Sequence, residues 1–126
     1  MPHLIVDYSA NLAARCDLSA VRDVLYEAAI ESGIFPLGGI RVRFHEAQLY
    51  ALADLHPDNA YLSLVIRLGA GRSDSVKRAA GESIFEALKD YFADELAGGY
   101  FMLSVDMVEN NSNLSFKANG VHARLK

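Results

Sequence analysis

Residues 61–91 read YLSLVIRLGAGRSDSVKRAAGESIFEALKDY, and they carry a strand, a glycine turn and a helix in one line. Residues 61–68 predict the strand. Gly69-Ala70-Gly71-Arg72-Ser73 predicts the turn, with Ser73 placed to cap the helix that follows. Val76, Ala80, Ile84, Ala87 and Tyr91 then recur at helical spacing. That helix is expected to end before Gly98-Gly99, and residues 101–108 predict a further strand.

The first half of the chain follows the same plan. Residues 3–8 are a short apolar run rich in β-branched side chains, the mark of a strand. Asp17 is placed to cap a helix whose stripe is Leu18, Val21, Leu25, Ala28 and Ser32. Gly33 stands where a helix C-terminal glycine belongs, and Pro36 prevents continuation. Ile40, Val42 and Phe44 alternate with Arg41, Arg43 and His45, so a second strand begins there with both arginines on one face. Its continuation is expected to run irregularly toward Ala53, before a loop at His56-Pro57-Asp58-Asn59. The tail, residues 111–126, is polar with a turn signal at Asn119-Gly120.

The chain is therefore strand–helix–strand, twice. This predicts an α+β single domain over residues 1–126, built from pseudo-repeats at about 2–59 and 60–126. Two crossover units predict a four-stranded mixed sheet with two helices on one face. The other face is expected to be apolar and uncovered, with packing against copies of the same chain as the simplest remedy.

The 126 residues suit one domain, and 52% hydrophobic with 22% charged residues is ordinary globular composition. A net charge of −4 and a pI near 5.5 argue against nucleic-acid binding. Any site for an anion must then be local. No apolar run approaches the roughly 20 residues that span a bilayer, and the N-terminus lacks a signal-peptide pattern, so no membrane partner is expected and the cytoplasm is the expected compartment.

The residues able to carry chemistry are few. Pro2 follows the initiator methionine, and removal of Met1 would leave it a free secondary amine. A terminal amine titrates lower than lysine, and an apolar site with neighbouring cations lowers it further, toward the neutral base that general-base catalysis uses. Gly38-Gly39-Ile40-Arg41-Val42-Arg43 brings two guanidinium groups suited to carboxylates. Gly69-Ala70-Gly71-Arg72-Ser73 puts a third beside a helix start, although the spacing of a nucleotide phosphate loop is missing. His3, His45, His56 and His122 are scattered without metal-ligand spacing, so no metal is expected, and they read as structural or surface residues. Cys16 just before a helix start is placed for a lowered pKa, yet no base can be set beside it. Asp106 and Glu109 fall on opposite faces of the last strand, and Phe116 is a candidate wall for an apolar site.

Taken together these segments resemble a known family. Met-Pro-His-Leu-Ile-Val-Asp-Tyr-Ser-Ala-Asn-Leu at residues 1–12 is similar to the start of the tautomerase superfamily, whose members expose an amino-terminal proline. Gly33-Ile34-Phe35-Pro36-Leu37, Gly39-Ile40-Arg41, Gly69-Ala70-Gly71-Arg72-Ser73, Leu114-Ser115-Phe116-Lys117 and Val121-His122-Ala123 extend the resemblance to the 5-carboxymethyl-2-hydroxymuconate Δ-isomerase branch over nearly the whole chain. The departures are Gly38 and the stretch 47–59. The resemblance implies a tautomerase-like pair of β-α-β units per subunit, a homotrimer, and a cofactor-independent isomerase acting on a small anionic dienoate in 4-hydroxyphenylacetate breakdown through homoprotocatechuate. It implies that Pro2 moves the proton as base and then acid, and that Arg41 and Arg72 hold substrate carboxylates. Arg43 also has a family match, without an implied role. Two other readings stay open: a tautomerase-superfamily enzyme for a different oxo-dienoate, and a non-catalytic trimeric binding module.

Overall fold

The computed structural model describes residues 2–125. Strand β1 (His3–Ser9) leads through a 3-10 turn at Ala10–Ala14 into helix α1 (Leu18–Glu31), and a second such turn at Leu37–Gly39 leads into β2 (Arg41–Ala47). Strand β3 (Ala60–Leu68), helix α2 (Asp74–Tyr91), the short helix α3 (Ala93–Gly98) and strand β4 (Phe101–Glu109) follow. The tail makes a 3-10 turn at Ser112–Leu114 and a last helix, α4 (Gly120–Arg124). The sheet order is β2-β1-β3-β4. β1 and β2 are parallel, β3 and β4 are parallel, and β1 and β3 meet antiparallel at the centre. The starts of β1 and β2 and the ends of β3 and β4 therefore share one end of the sheet.

The local signals explain why the elements begin where they do. Asp17 Oδ1 accepts the Ser19 and Ala20 N–H groups at 2.9 and 3.4 Å, which satisfies donors that α1 leaves unpaired. Ser73 Oγ accepts the Val76 N–H at 3.3 Å and opens α2 in the same way. Gly33, with φ of +73°, makes the left-handed turn that ends α1. Leu4 and Val6 of β1 and Leu62, Leu64, Ile66 and Leu68 of β3 point to the helix side and are buried. They pack with Val21 and Leu25 of α1 and Ile84 and Leu88 of α2 into one core. Each such side chain contributes on the order of 1.5–3 kcal/mol by leaving water.

Four expectations need correction. The α2 stripe runs through Ala80, Gly81, Ile84 and Leu88, whereas Val76 is 43% exposed. The helix also breaks at Phe92, whose ring is buried against Tyr91 and Phe101, so a separate turn of helix reaches Gly98. β2 ends at Ala47 and does not continue to Ala53. Residues 48–59 leave the sheet as a loop, pinned where Asn59 Nδ2 donates to Leu52 O and Asp54 Oδ1 and where Asn11 Nδ2 donates to Asn59 O. Asn119 starts a helix instead of a turn, its side chain accepting the His122 N–H at 3.0 Å.

The fourth correction concerns the sheet face away from the helices. It is uncovered within the chain but polar. Its successive rows across the sheet are Arg41–His3–Arg67–Val108, Arg43–Ile5–Val65–Asp106 and His45–Asp7–Ser63–Ser104. Ser104 donates to Ser63 at 3.2 Å, and Tyr61 donates to Asp7 at 2.9 Å. Burial, then that hydrogen bond and the charge of Asp7, push the Tyr61 hydroxyl up to about 12. The expectation failed because it counted helices rather than the outward-facing strand positions, which are mostly polar.

Helix α4 docks on the Leu37–Gly39 turn, and Gly38 is what admits it. A Cβ at Gly38 would lie 2.4 Å from His122 Cα, inside backbone that has no rotamer to change. The Asn119 side chain also donates to Gly38 O at 2.8 Å. Gly38→Ala is therefore expected to destabilise the chain by about 1–3 kcal/mol and to free α4. Urea unfolding and limited proteolysis near Arg124 would read both effects. Unchanged stability with an intact tail would show that the contact is dispensable.

Candidate functional site

The shared end of the sheet gathers Pro2, Arg41 and the turn that carries Arg72. Pro2 is buried immediately before β1. Its carbonyl accepts the Arg41 N–H at 3.3 Å, so the backbone fixes Pro2 beside the first residue of β2. Met1, on whose removal a free Pro2 amine depends, lies outside the described residues. The Gly69–Ser73 turn follows β3 at the same end, because β3 runs antiparallel to β1.

The two candidate arginines engage different neighbours. Arg72 is half-buried, donates to Ile34 O at 2.7 Å, and sets its guanidinium 5.9 Å from the centre of the Phe35 ring. It is thereby held against the segment joining α1 to β2. The Arg41 side chain lies on the open sheet face. Its Nη1 is 2.6 Å from His3 Nε2, and Arg43 Nη1 is 2.9 Å from His3 Nδ1. His3 thus stands between two guanidinium groups. Burial, then the charges of Arg41, Arg43 and Arg67, lower its pKa from the ordinary 6.5 and favour the neutral ring.

A hollow of about 290 Å³ opens here, lined by His3, Arg41, Arg67, Asn110, Phe116 and Lys117 among others. Phe116 reaches it while remaining 90% exposed. Arg67 was not singled out in the sequence. The alternation of β3 would have placed it on the open face, but only pairing with β1 puts it opposite His3. His3, read as a structural or surface residue, is the bridge between the Arg41 and Arg43 side chains.

Cys16 differs from its expectation. Burial, then the charges of Glu95 and Asp17, raise its thiol pKa, which outweighs any effect of the helix start, and its Sγ donates to Leu12 O at 3.6 Å. Asp106 lies on the open face in the row of Arg43, one row from Arg41 and Arg67. Among the described residues no group of three or more histidines, cysteines and carboxylates is placed to hold a metal ion, and no helix is long and apolar enough to cross a membrane.

Comparison with known proteins agrees across the chain. A family model described as 5-carboxymethyl-2-hydroxymuconate isomerase matches residues 2–125. The 5-carboxymethyl-2-hydroxymuconate Delta-isomerase of Escherichia coli is 37% identical over 126 residues, covering 100% of both chains. The crystal structure of a 5-carboxymethyl-2-hydroxymuconate isomerase from Deinococcus radiodurans R1 superposes with a TM-score of 0.91 at 37% identity, over 99% of this chain and 94% of that one. A further crystal structure of a 5-carboxymethyl-2-hydroxymuconate delta-isomerase gives a TM-score of 0.89 at 31% identity, over 100% and 93% of the two chains.

Proposed function

This chain belongs to the 5-carboxymethyl-2-hydroxymuconate isomerase family, and from that premise we propose that Pro2 is the group that moves the proton and that Arg41 and Arg72 hold the substrate. The chain is an isomerase. Its substrate on this reading, 5-carboxymethyl-2-hydroxymuconate, carries three carboxylates and a dienol.

The neutral secondary amine of Pro2 takes the proton of the 2-hydroxyl. The electron pair of that O–H bond forms the carbonyl, the conjugated double bonds shift, and the distal carbon takes a proton back from the Pro2 ammonium. One group serves as base and then as acid, so atoms and charge balance without a cofactor. Arg41 and Arg72 meet carboxylates, and the one nearer the 2-oxo end also stabilises the charge that develops on that oxygen. Fixing a flexible polyanion lowers the entropic part of the barrier. The observation that carries the reading is Pro2 buried at the sheet end, bonded through its backbone to Arg41, in a chain matched end to end by this family.

The same reading takes units 2–59 and 60–126 as one domain, three copies as the working assembly and the cytoplasm as its place. The trimer is supported by large apolar side chains left exposed on a single chain, Leu49 at 94% and Leu114 at 75% among them. Intact mass, native light scattering and an assay following the dienol absorbance test it together. The expected result is a chain short by one methionine, a particle three times 13.8 kDa, and turnover. A processed, folded protein that leaves the dienol unchanged would defeat the assignment.

A further inference from the structure

β2 and β4 are the two edges of the sheet, and each is hydrogen-bonded to a neighbouring strand on one side only. An unpaired edge of seven or nine residues is a ready template for another chain. The two edges differ in charge. The outward-facing positions of β2 are Arg41, Arg43 and His45, and those of β4 include Ser104, Asp106 and Val108. Asp106 is exposed, and among the described residues its carboxylate has no hydrogen-bond or ion-pair partner. Arg43 is half-buried and lies 2.9 Å from His3 Nδ1, on a ring whose other nitrogen is 2.6 Å from Arg41 Nη1. A neutral imidazole has one lone pair, so His3 accepts from only one of the two arginines. A carboxylate from a second copy would give Arg43 an acceptor of its own.

The register says which carboxylate. Arg43 and Asp106 stand at opposite ends of the same row, Arg43–Ile5–Val65–Asp106. In a ring of copies turned about an axis along the strands, every row keeps its own height. The β2 edge of one copy then meets the β4 edge of the next, head to tail, and Arg43 meets Asp106. A slip of one row sets Arg43 against Ser104 or Val108 and loses the pair. Apolar surface continues both edges on the helix side. A hollow of about 380 Å³ beside β4 is lined by Phe85, Leu103, Val105 and Met107 among others. One of about 270 Å³ beside β2 is lined by Leu18, Val42 and Phe44 among others. Covering these hollows supplies apolar contact, and the charges fix the register. We propose that the β2 edge of one copy docks on the β4 edge of a second copy, held in register by an Arg43–Asp106 ion pair between them. The inference rests on the trimer proposed above and specifies the contact that closes it.

The test is a charge swap. Arg43→Asp and Asp106→Arg each set like charges against each other in such a ring, and the double variant restores the pair with its signs exchanged. Sedimentation velocity over a dilution series reads the concentration at which half the chains have dissociated. Each single variant should raise that concentration about a hundredfold, and the double variant should return it to within about tenfold of the parent. Circular dichroism confirms that the dissociated chains are folded. If Arg43→Asp fails to fold, exposed Asp106 carries the test alone: Asp106→Asn should loosen the assembly less than Asp106→Arg, and equal effects overturn the pair. A trimeric parent whose single variants stay as tight, or whose double variant is no tighter than the singles, overturns the edge contact and leaves the trimer standing. A parent that is monomeric at every concentration overturns both, and turnover by that monomer leaves the Pro2 reaction standing.

Discussion

Replacing Pro2 by alanine lowers kcat for the dienol substrate by about a hundredfold or more, while leaving measurable turnover. The residual activity follows from what the substitution keeps. Methionine is still removed before alanine, so a terminal amine remains near the reacting proton. What is lost is the ring. A proline nitrogen has its direction set by the pyrrolidine, whereas an alanine amine rotates and must be ordered on every turnover. Its basicity changes too, so the acid limb of the kcat/KM profile should move with the amine. KM should change little if Arg41 and Arg72 carry the binding. The fold is not at risk, since the Pro2 carbonyl that accepts from Arg41 belongs to the backbone and survives the change. A variant extended by one residue ahead of Pro2 gives the complementary result. Its nitrogen becomes an amide, and activity should vanish while the structure persists. A Pro2→Ala enzyme with kcat within about twofold of the parent would rule out a specific role for the proline ring.

Much of this architecture was readable before any coordinates, and the reasons are local. Asp17, Ser73 and Gly33 act within a few residues of themselves, on groups that every helix leaves unpaired. The two strand–helix–strand units and the sheet that joins them follow from apolar spacing and from the short connections between neighbours. The family resemblance rested on segments spread along the chain, and residues 2–125 bear it out.

What escaped depends on contacts between distant residues. The break at Phe92 arises because its ring finds Phe101, nine positions later and on another element. The polar character of the open face needed all four strands in register, since Arg41, His3 and Arg67 come from three of them. Gly38 looked like a departure from the family pattern on variable ground. It is a close approach to His122, a residue 84 positions away, and nothing in its own neighbourhood signals that. The site divides in the same way. The residue types at Pro2, Arg41 and Arg72 were visible, but the separation of the Arg41 and Arg72 side chains onto different surroundings was not.

That separation sharpens the last expectation. Arg72→Ala should cost about a thousandfold in kcat/KM, more than any other arginine here, through both KM and kcat. The binding part is the loss of charge-assisted hydrogen bonds to a carboxylate, about 1.5–3 kcal/mol, or roughly ten- to a hundredfold. The remainder is the loss of a positive group where charge develops on the 2-oxygen, which acts in the transition state and so lowers kcat. Arg72 is suited to this because it is already ordered before substrate arrives. One N–H is spent on Ile34 O, and its plane is held near Phe35, so little freedom is left to lose on binding. The same contacts create the one confounding effect, since alanine would leave the Ile34 carbonyl without its donor. Arg72→Lys resolves it. Lysine keeps the charge but not the fork, so a role confined to positioning Ile34 predicts activity tracking stability across both variants. A role toward substrate predicts stable variants in which lysine recovers binding better than it recovers kcat. Unchanged kinetics in a folded Arg72→Ala enzyme would take Arg72 out of the site and leave the carboxylates to the open-face arginines.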